Sequence, residues 1–216
     1  MLRKAIGVFL AIPVVFIVLH TLVRIIRYFH KFPIPEFLAG VIDNPLRRRM
    51  QPPDEMPLRH GIDPGMRVLE VGPGNGRYTM ATARRVGEAG RVIAVDIEPK
   101  MVKRVRSRVE AEGIANVEAR VADVYNLPFD NGTFDAAYMI AVIGEIPDPD
   151  RAMGEFQRVL KPGGTLAFSE LLMDPDYALA STLVRKARPA GFRLKDRIGN
   201  LFYYTLVFEN AFGGEL

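Results

Sequence analysis

The sequence predicts an α/β protein, a mostly parallel sheet with helices on both faces. Two observations carry this. From Asp63 onward, short apolar runs of strand length alternate with amphipathic segments of helix length. The first such run leads directly into a glycine-rich turn, EVGPGNG at 70–76, that opens a helical segment.

Taken in order, Asp63-Pro-Gly65 is a turn and RVLEV (67–71) the first strand. Residues 77–88 follow as a helix and RVIAVD (91–96) as the second strand. Pro99 suits a first helical turn, and the helix it starts ends at Gly113. A third strand is expected over 116–121, a turn at Asn131-Gly132 and a fourth strand over 134–140. A helix over 150–160 stops before Lys161-Pro-Gly-Gly164, and a fifth strand covers 165–170. Residues 177–186 read as a helix, and 191–196 and 203–209 as the last two strands. The connection between these two, 197–202, is too short for a parallel crossover, so the final strand should run antiparallel.

The N-terminal quarter differs in composition. The chain has 216 residues and a net charge of +4. The first 50 hold eight Lys/Arg against two acids, whereas the remainder holds 21 basic and 23 acidic groups. Residues 5–23, AIGVFLAIPVVFIVLHTLV, contain no fully charged side chain. As a helix they would reach ~28 Å, close to the thickness of a bilayer's hydrocarbon. Arg3 and Lys4 precede them; Arg24, Arg27 and Lys31 follow. No small-residue cleavage site follows the stretch, which disfavours a signal peptide. A membrane span is favoured over a packed apolar helix, because Gly7 and Pro13 suit a span better and no polar face is evident. The organisation expected is an anchor helix with a basic, aromatic flank (1–31), a proline-rich linker and cap (32–62) and the α/β body (63–216), with the membrane as a partner and the body on the cytoplasmic side.

Several classes are disfavoured. The chain has no cysteine, so disulfides, thiolate metal sites and Cys nucleophiles are excluded. The three histidines, His20, His30 and His60, are too scattered for a metal site, and none is expected. The excess positive charge flanks the apolar stretch rather than covering the body, so nucleic acid is not an expected partner.

The candidate binding residues gather at strand ends. Gly72, Gly74 and Gly76 allow a tight turn and close approach of backbone to a ligand. Asp96 ends the second strand, where an acid can accept both hydroxyls of a ribose or else cap the next helix. Asp123-Val124 follow the third strand; the acid there can meet an adenine amino group or cap a loop. Glu70 lies inside a strand and is costly to bury unless a ligand's ammonium or the loop's N–H groups partner it. The spacing is G-x-G-x-G, not the G-x-G-x-x-G of dinucleotide sites, which disfavours NAD.

The body resembles the class I S-adenosylmethionine-dependent methyltransferases, in particular their UbiE-like small-molecule and lipid branch. The resemblance covers about Asp63 to Asn210 and rests on VLEVGPGNG, AVDIEPKMV, ADVYNLPFDNGTFD and GEFQRVLKPGGTL. It implies a Rossmann-like seven-stranded sheet in the order 3-2-1-4-5-7-6, with strand 7 antiparallel. It implies S-adenosyl-L-methionine as cofactor, with the glycine loop at its methionine part, Asp96 on the ribose, Ile97 packed on adenine, and Asp123 and Val124 beside the adenine. The acceptor should then lie beyond the fourth strand, near 138–148. Glu145 is the candidate general base or acceptor-positioning group, against a solvated loop acid or cap partner. Asp135 reads as structural and His60 as a surface side chain or, less favoured, a base; Tyr138 fits core or cleft equally. No Asn/Asp-Pro-Pro-Tyr/Phe motif follows the fourth strand, which again disfavours nucleic-acid bases. The implied activity is methyl transfer to a small, lipophilic or membrane-associated acceptor: a lipid, a quinone-like ring, or a small thiol or amine. The alternative is a non-catalytic S-adenosylmethionine-binding sensor or assembly factor at the membrane.

Overall fold

The computed structural model describes residues 21–24 and 45–211. Its centre is one seven-stranded sheet: β1 (Arg67–Val71), β2 (Arg91–Asp96), β3 (Val117–Val121), β4 (Phe134–Ile140), β5 (Leu160–Leu171), β6 (Phe192–Gly199) and β7 (Tyr203–Asn210). The order is β3-β2-β1-β4-β5-β7-β6. The first five strands pair in parallel, and β7 runs antiparallel to both β5 and β6. The tight return over residues 200–202 imposes that reversal, as its length requires.

Before the sheet, α1 (Pro45–Met50) and α2 (Met56–Arg59) form two short helices. Around them Gln51, Met56, His60 and Ile62 are buried. Two longer helices, α3 (Arg77–Val86) and α4 (Pro99–Glu112), cover one sheet face, where Met80 of α3 and Val102 and Val105 of α4 pack on Ala94 and Ala119. On the other face lie α5 (Pro149–Val159) and α6 (Ala180–Ala187), whose Met153, Phe156 and Leu183 join the core built on Leu69, Ile93, Met139 and Phe168. The central strands β1 and β2 are buried on both faces, which explains why they read as continuous apolar runs.

Three boundaries differ from expectation by three residues or more. Lys161–Gly164 does not precede β5 but belongs to it, because Leu160 already pairs with Phe134 and the register then slips before Ala136 meets Thr165. Gly164 is needed there: a Cβ would stand 2.9 Å from the Lys161 carbonyl oxygen and 3.0 Å from that of Asp135. The last helix starts at Ala180 rather than 177, because Tyr177 is used in a turn, its N–H donating to the Asp174 carbonyl and its hydroxyl to the Leu201 carbonyl. Strand β6 runs on to Gly199, with Lys195 as an extra, bulged residue between Leu194 and Asp196.

Of the expected anchor, 1–20 and 25–31 lie outside the described residues, as does the 32–44 part of the linker. Among the described residues no helix is long and apolar enough to cross a membrane. Residues 21–24 are helical, and the Arg24 guanidinium donates to the carbonyls of Pro175 and Tyr177 at 3.2 and 3.5 Å.

Candidate functional site

Five parallel strands end along one edge of the sheet, and the predicted site residues cluster at the ends of β1, β2, β3 and β4. The glycine loop leaves β1 with Gly72, Gly74 and Gly76 all in the left-handed region, φ +72°, +55° and +76°. Side chains rarely adopt that backbone. At Gly72 a Cβ would also lie 2.4 Å from a Val142 methyl, so the loop after β4 leans directly on the glycine loop. Gly76 caps α3, the Asn75 carboxamide accepts from the Arg77 N–H, and Arg108 of α4 donates to the Asn75 carbonyl. The result is a fixed backbone cradle.

Beneath it lies Glu70, 2% exposed. Burial pushes its carboxyl up to about 7; the hydroxyls of Thr79 and Tyr138 oppose this, and Asp96 adds repulsion. Its Oε2 has no hydrogen-bond partner in the fold. Tyr138, which fitted core or cleft on sequence, is a core residue whose hydroxyl meets Thr82 Oγ1 at 2.9 Å.

Asp96 takes the Glu98 N–H at 2.9 Å in a tight turn. Glu98, not Asp96, caps α4. Burial also raises the Asp96 carboxyl. Ile97 follows with 63% of its surface exposed, an apolar platform beside the acid. Asp123 is exposed and accepts the Tyr125 N–H at 2.9 Å, so it does cap a loop, with half-buried Val124 beside it.

Beyond β4 the chain passes through Ala141, the only non-glycine among the described residues with a left-handed backbone, φ +56°. It then makes the 3-10 turn Ile143–Glu145. Gly144 permits this turn to pass the 174–177 segment, since a Cβ would sit 1.7 Å from the Asp176 carbonyl oxygen. Glu145 is half-buried there.

The structure also shows groups not singled out on sequence. Glu170 at the end of β5 is fully buried; burial raises its carboxyl well above the usual range, and Asp174 and then Glu145 add repulsion. Arg47 of α1 pairs with Asp174 at 3.3 Å, both buried. Like Glu70, Glu170 is an acid within an apolar strand, and that signal was present in the sequence.

His60 requires correction. It is neither a surface side chain nor placed as a base, being 1% exposed, stacked 4.9 Å from the Tyr138 ring and bonded through Nε2 to Ser169 Oγ at 2.8 Å. Ser169 continues to Thr205 at 2.7 Å. Burial, helped by Arg59, lowers the imidazole to about 3, so it is neutral. Asp135 is structural as expected, accepting the Arg67 N–H at 2.8 Å and the Lys161 ammonium at 2.6 Å at the opposite edge of the sheet.

A polar cavity of about 570 Å³ lies elsewhere, under the β3–β4 crossover between Arg120, Phe129 and Arg158. Arg158 is already committed there to Glu155 and to the carbonyls of Leu127 and Phe129. The convergence of acids and left-handed backbone is at the strand ends, not in that cavity.

The residues present fit a cationic adenosyl cofactor: a buried carboxylate with one unpartnered oxygen, a cradle that a Cβ would fill, and an acid with an apolar neighbour at the adjacent strand end. Residues 69–168 match the family model described as a methyltransferase domain. Within those matched residues lie all of Glu70, the glycine loop, Asp96, Asp123 and Glu145. The chain is 39% identical over 111 residues to the ubiquinone/menaquinone biosynthesis C-methyltransferase UbiE of Idiomarina loihiensis, covering 51% of this chain and 44% of that protein. It is 36% identical over 146 residues to UbiE of Escherichia coli, covering 65% and 55%. The chain thus spans about half the length of the curated relatives it matches. Among solved structures, a SAM-dependent methyltransferase from Aquifex aeolicus superposes with a TM-score of 0.76 at 24% identity, covering 82% of this chain and 100% of that one. The [4+2]-cyclase SpnF superposes with 0.67 at 22% identity, covering 76% and 81%. These likenesses establish the fold.

Proposed function

We propose that the protein is an S-adenosylmethionine-dependent methyltransferase acting on a small lipophilic acceptor presented at a membrane. The observation that carries the reading is Glu70, buried with an unpartnered oxygen beneath three left-handed glycines. A buried acid in that state calls for a cation.

S-adenosylmethionine supplies an activated methyl group on a sulfonium, so the protein's task is orientation. Glu70 ionises against the ligand's ammonium. Gly72, Gly74 and Gly76 admit the methionine portion against bare backbone. Asp96 accepts the ribose hydroxyls, Ile97 and Val124 flank the adenine, and Asp123 accepts from its amino group. Glu145, on the turn after β4, receives the acceptor's proton or holds the acceptor in line.

The relatives and the N-terminal sequence together support this acceptor class. A quinone-like ring fits the names of the UbiE relatives, and a lipid or a small apolar thiol or amine shares the chemistry. The apolar 5–23 segment, bracketed by basic residues, would span the bilayer and keep the 63–216 body on its cytoplasmic side, joined by 32–62.

Calorimetry with S-adenosylhomocysteine and incubation of native lipid extract with methyl-labelled cofactor test this. Binding together with label in the lipid fraction is the expected result. Binding without label in any fraction would instead support the sensor or assembly factor, and absence of binding would refute the cofactor assignment.

A further inference from the structure

The edge of the sheet that carries the site also carries an unusual amount of exposed apolar surface. The β6–β7 return presents Leu201 and Phe202 with 60% and 63% of their surfaces in solvent. Met173 and Leu179 are exposed on the segment that follows β5, and Leu22 and Val23 on the helical residues before it. Hydrogen bonds show that these pieces adjoin. The Leu172 N–H donates to the Phe202 carbonyl at 2.7 Å, Tyr177 Oη donates to the Leu201 carbonyl at 2.7 Å, and Arg24 reaches Pro175 and Tyr177.

The return is not loose. Asn200 N–H donates to the Tyr203 carbonyl at 2.7 Å, its side chain accepts from the Phe202 N–H at 2.8 Å, and a Cβ on Gly199 would stand 2.3 Å from the Tyr203 carbonyl oxygen. The fixed backbone holds the two large apolar side chains outward. Surface patches of this kind mark interaction sites.

We propose that this rim docks onto a lipid bilayer bearing anionic headgroups, with Leu201 and Phe202 entering the interface. Two observations select a bilayer over a protein partner. Residues 21–24, which rest on the rim, close the apolar 5–23 stretch, so the rim lies where that stretch ends. The rim is also edged by cations: Arg24, and exposed Arg197 beside Tyr177 and Tyr204. Its acids are withdrawn from the surface, Glu170 and Asp174 being buried, the latter paired with Arg47, and Asp176 half-buried. Aromatic and aliphatic side chains ringed by arginine suit a headgroup boundary. The inference rests on the membrane-acceptor reading above and adds the surface through which the cleft would meet its acceptor.

The chain has no tryptophan, so Phe202→Trp places a single indole on the tip. Glu88→Trp, exposed at the opposite edge of the sheet, is the control. Each full-length variant is combined with vesicles of phosphatidylcholine and phosphatidylglycerol, with and without brominated acyl chains. The tip indole should shift to the blue and be quenched by the brominated lipid, while the control remains open to aqueous acrylamide. The proposal is overturned if both indoles stay equally open to acrylamide in vesicle-bound protein. It is equally overturned if the blue shift appears without lipid and tracks a dimer in sedimentation, since the rim would then cover a second copy. S-adenosylhomocysteine binding, measured on the same variants, reports separately on the cofactor reading.

Discussion

The most informative perturbation is Glu70→Gln, which keeps shape and hydrogen-bonding capacity but cannot ionise. In the cofactor-free fold the Glu70 carboxyl is raised from 4.5 to about 7, chiefly by burial. The folded state therefore binds the proton more tightly than the unfolded chain. Between those two values stability falls as pH rises, and above the upper one the loss is complete. At 1.36 kcal/mol per unit, the ionised carboxylate destabilises the empty fold by about 3 kcal/mol at pH 8. For a domain of this size that corresponds to roughly 6–12 °C in melting temperature. Urea unfolding of the cofactor-free variant should thus show a pH 5 to pH 8 difference smaller than wild type by about 2.5 kcal/mol, with the variant the more stable at pH 8. The same substitution should weaken S-adenosylhomocysteine by about 2 kcal/mol or more, a factor of roughly 30, because the buried cation loses its partner. A variant with unchanged pH slope and unchanged affinity would refute the reasoning, since Glu70 would then be partnered within the fold and have no ligand to meet.

Two further predictions follow from the same geometry. The imidazole of His60 is lowered to about 3, so its folded form binds fewer protons than the unfolded chain and stability is lost as pH falls below about 6.5; His60→Leu should flatten the acid limb of a urea-derived stability profile measured between pH 4 and 7. Gly72→Ala combines a left-handed backbone with a contact at 2.4 Å to Val142; thermal melts should show a loss of about 1–2 kcal/mol from the backbone alone, with the clash in addition, and adding Val142→Ala should restore only the clash.

The sheet was legible because it follows from periodicity and connection length. Strands β1, β2 and β4 coincide with their apolar runs, and the short return before β7 forced its direction. Misreadings occurred where a tertiary partner decides. Nothing local announces that Leu160 pairs with Phe134 across a bulge, or that the Tyr177 hydroxyl will be claimed by Leu201 and delay α6. His60 looked like a surface residue because the segment around it is rich in proline and charge; that α2 folds it onto Tyr138 and Ser169 is a long-range fact. Ala141 gave no signal, since alanine carries no mark of a left-handed backbone.

The contrast between the two edges of the sheet ties these features together. At the edge where β1 and β4 begin, burial acts on Asp135, but the Lys161 ammonium and the Arg67 N–H outweigh it and hold the carboxyl low. At the edge where the parallel strands end, Glu70, Asp96 and Glu170 are all pushed up, and two of them leave an oxygen without a partner. Ala141 adds left-handed strain of about 1–2 kcal/mol at that edge, and Leu201 and Phe202 face water there. A sequence whose local preferences agree with its fold elsewhere, yet conflict along one edge, has concentrated its unmet interactions where partners from outside can meet them. The acids ask for a cation within the cleft and the hydrocarbon rim asks for an apolar phase beside it. A charged cofactor and a membrane-borne acceptor satisfy the two demands separately, which is why the Glu70 and Phe202 experiments can fail independently.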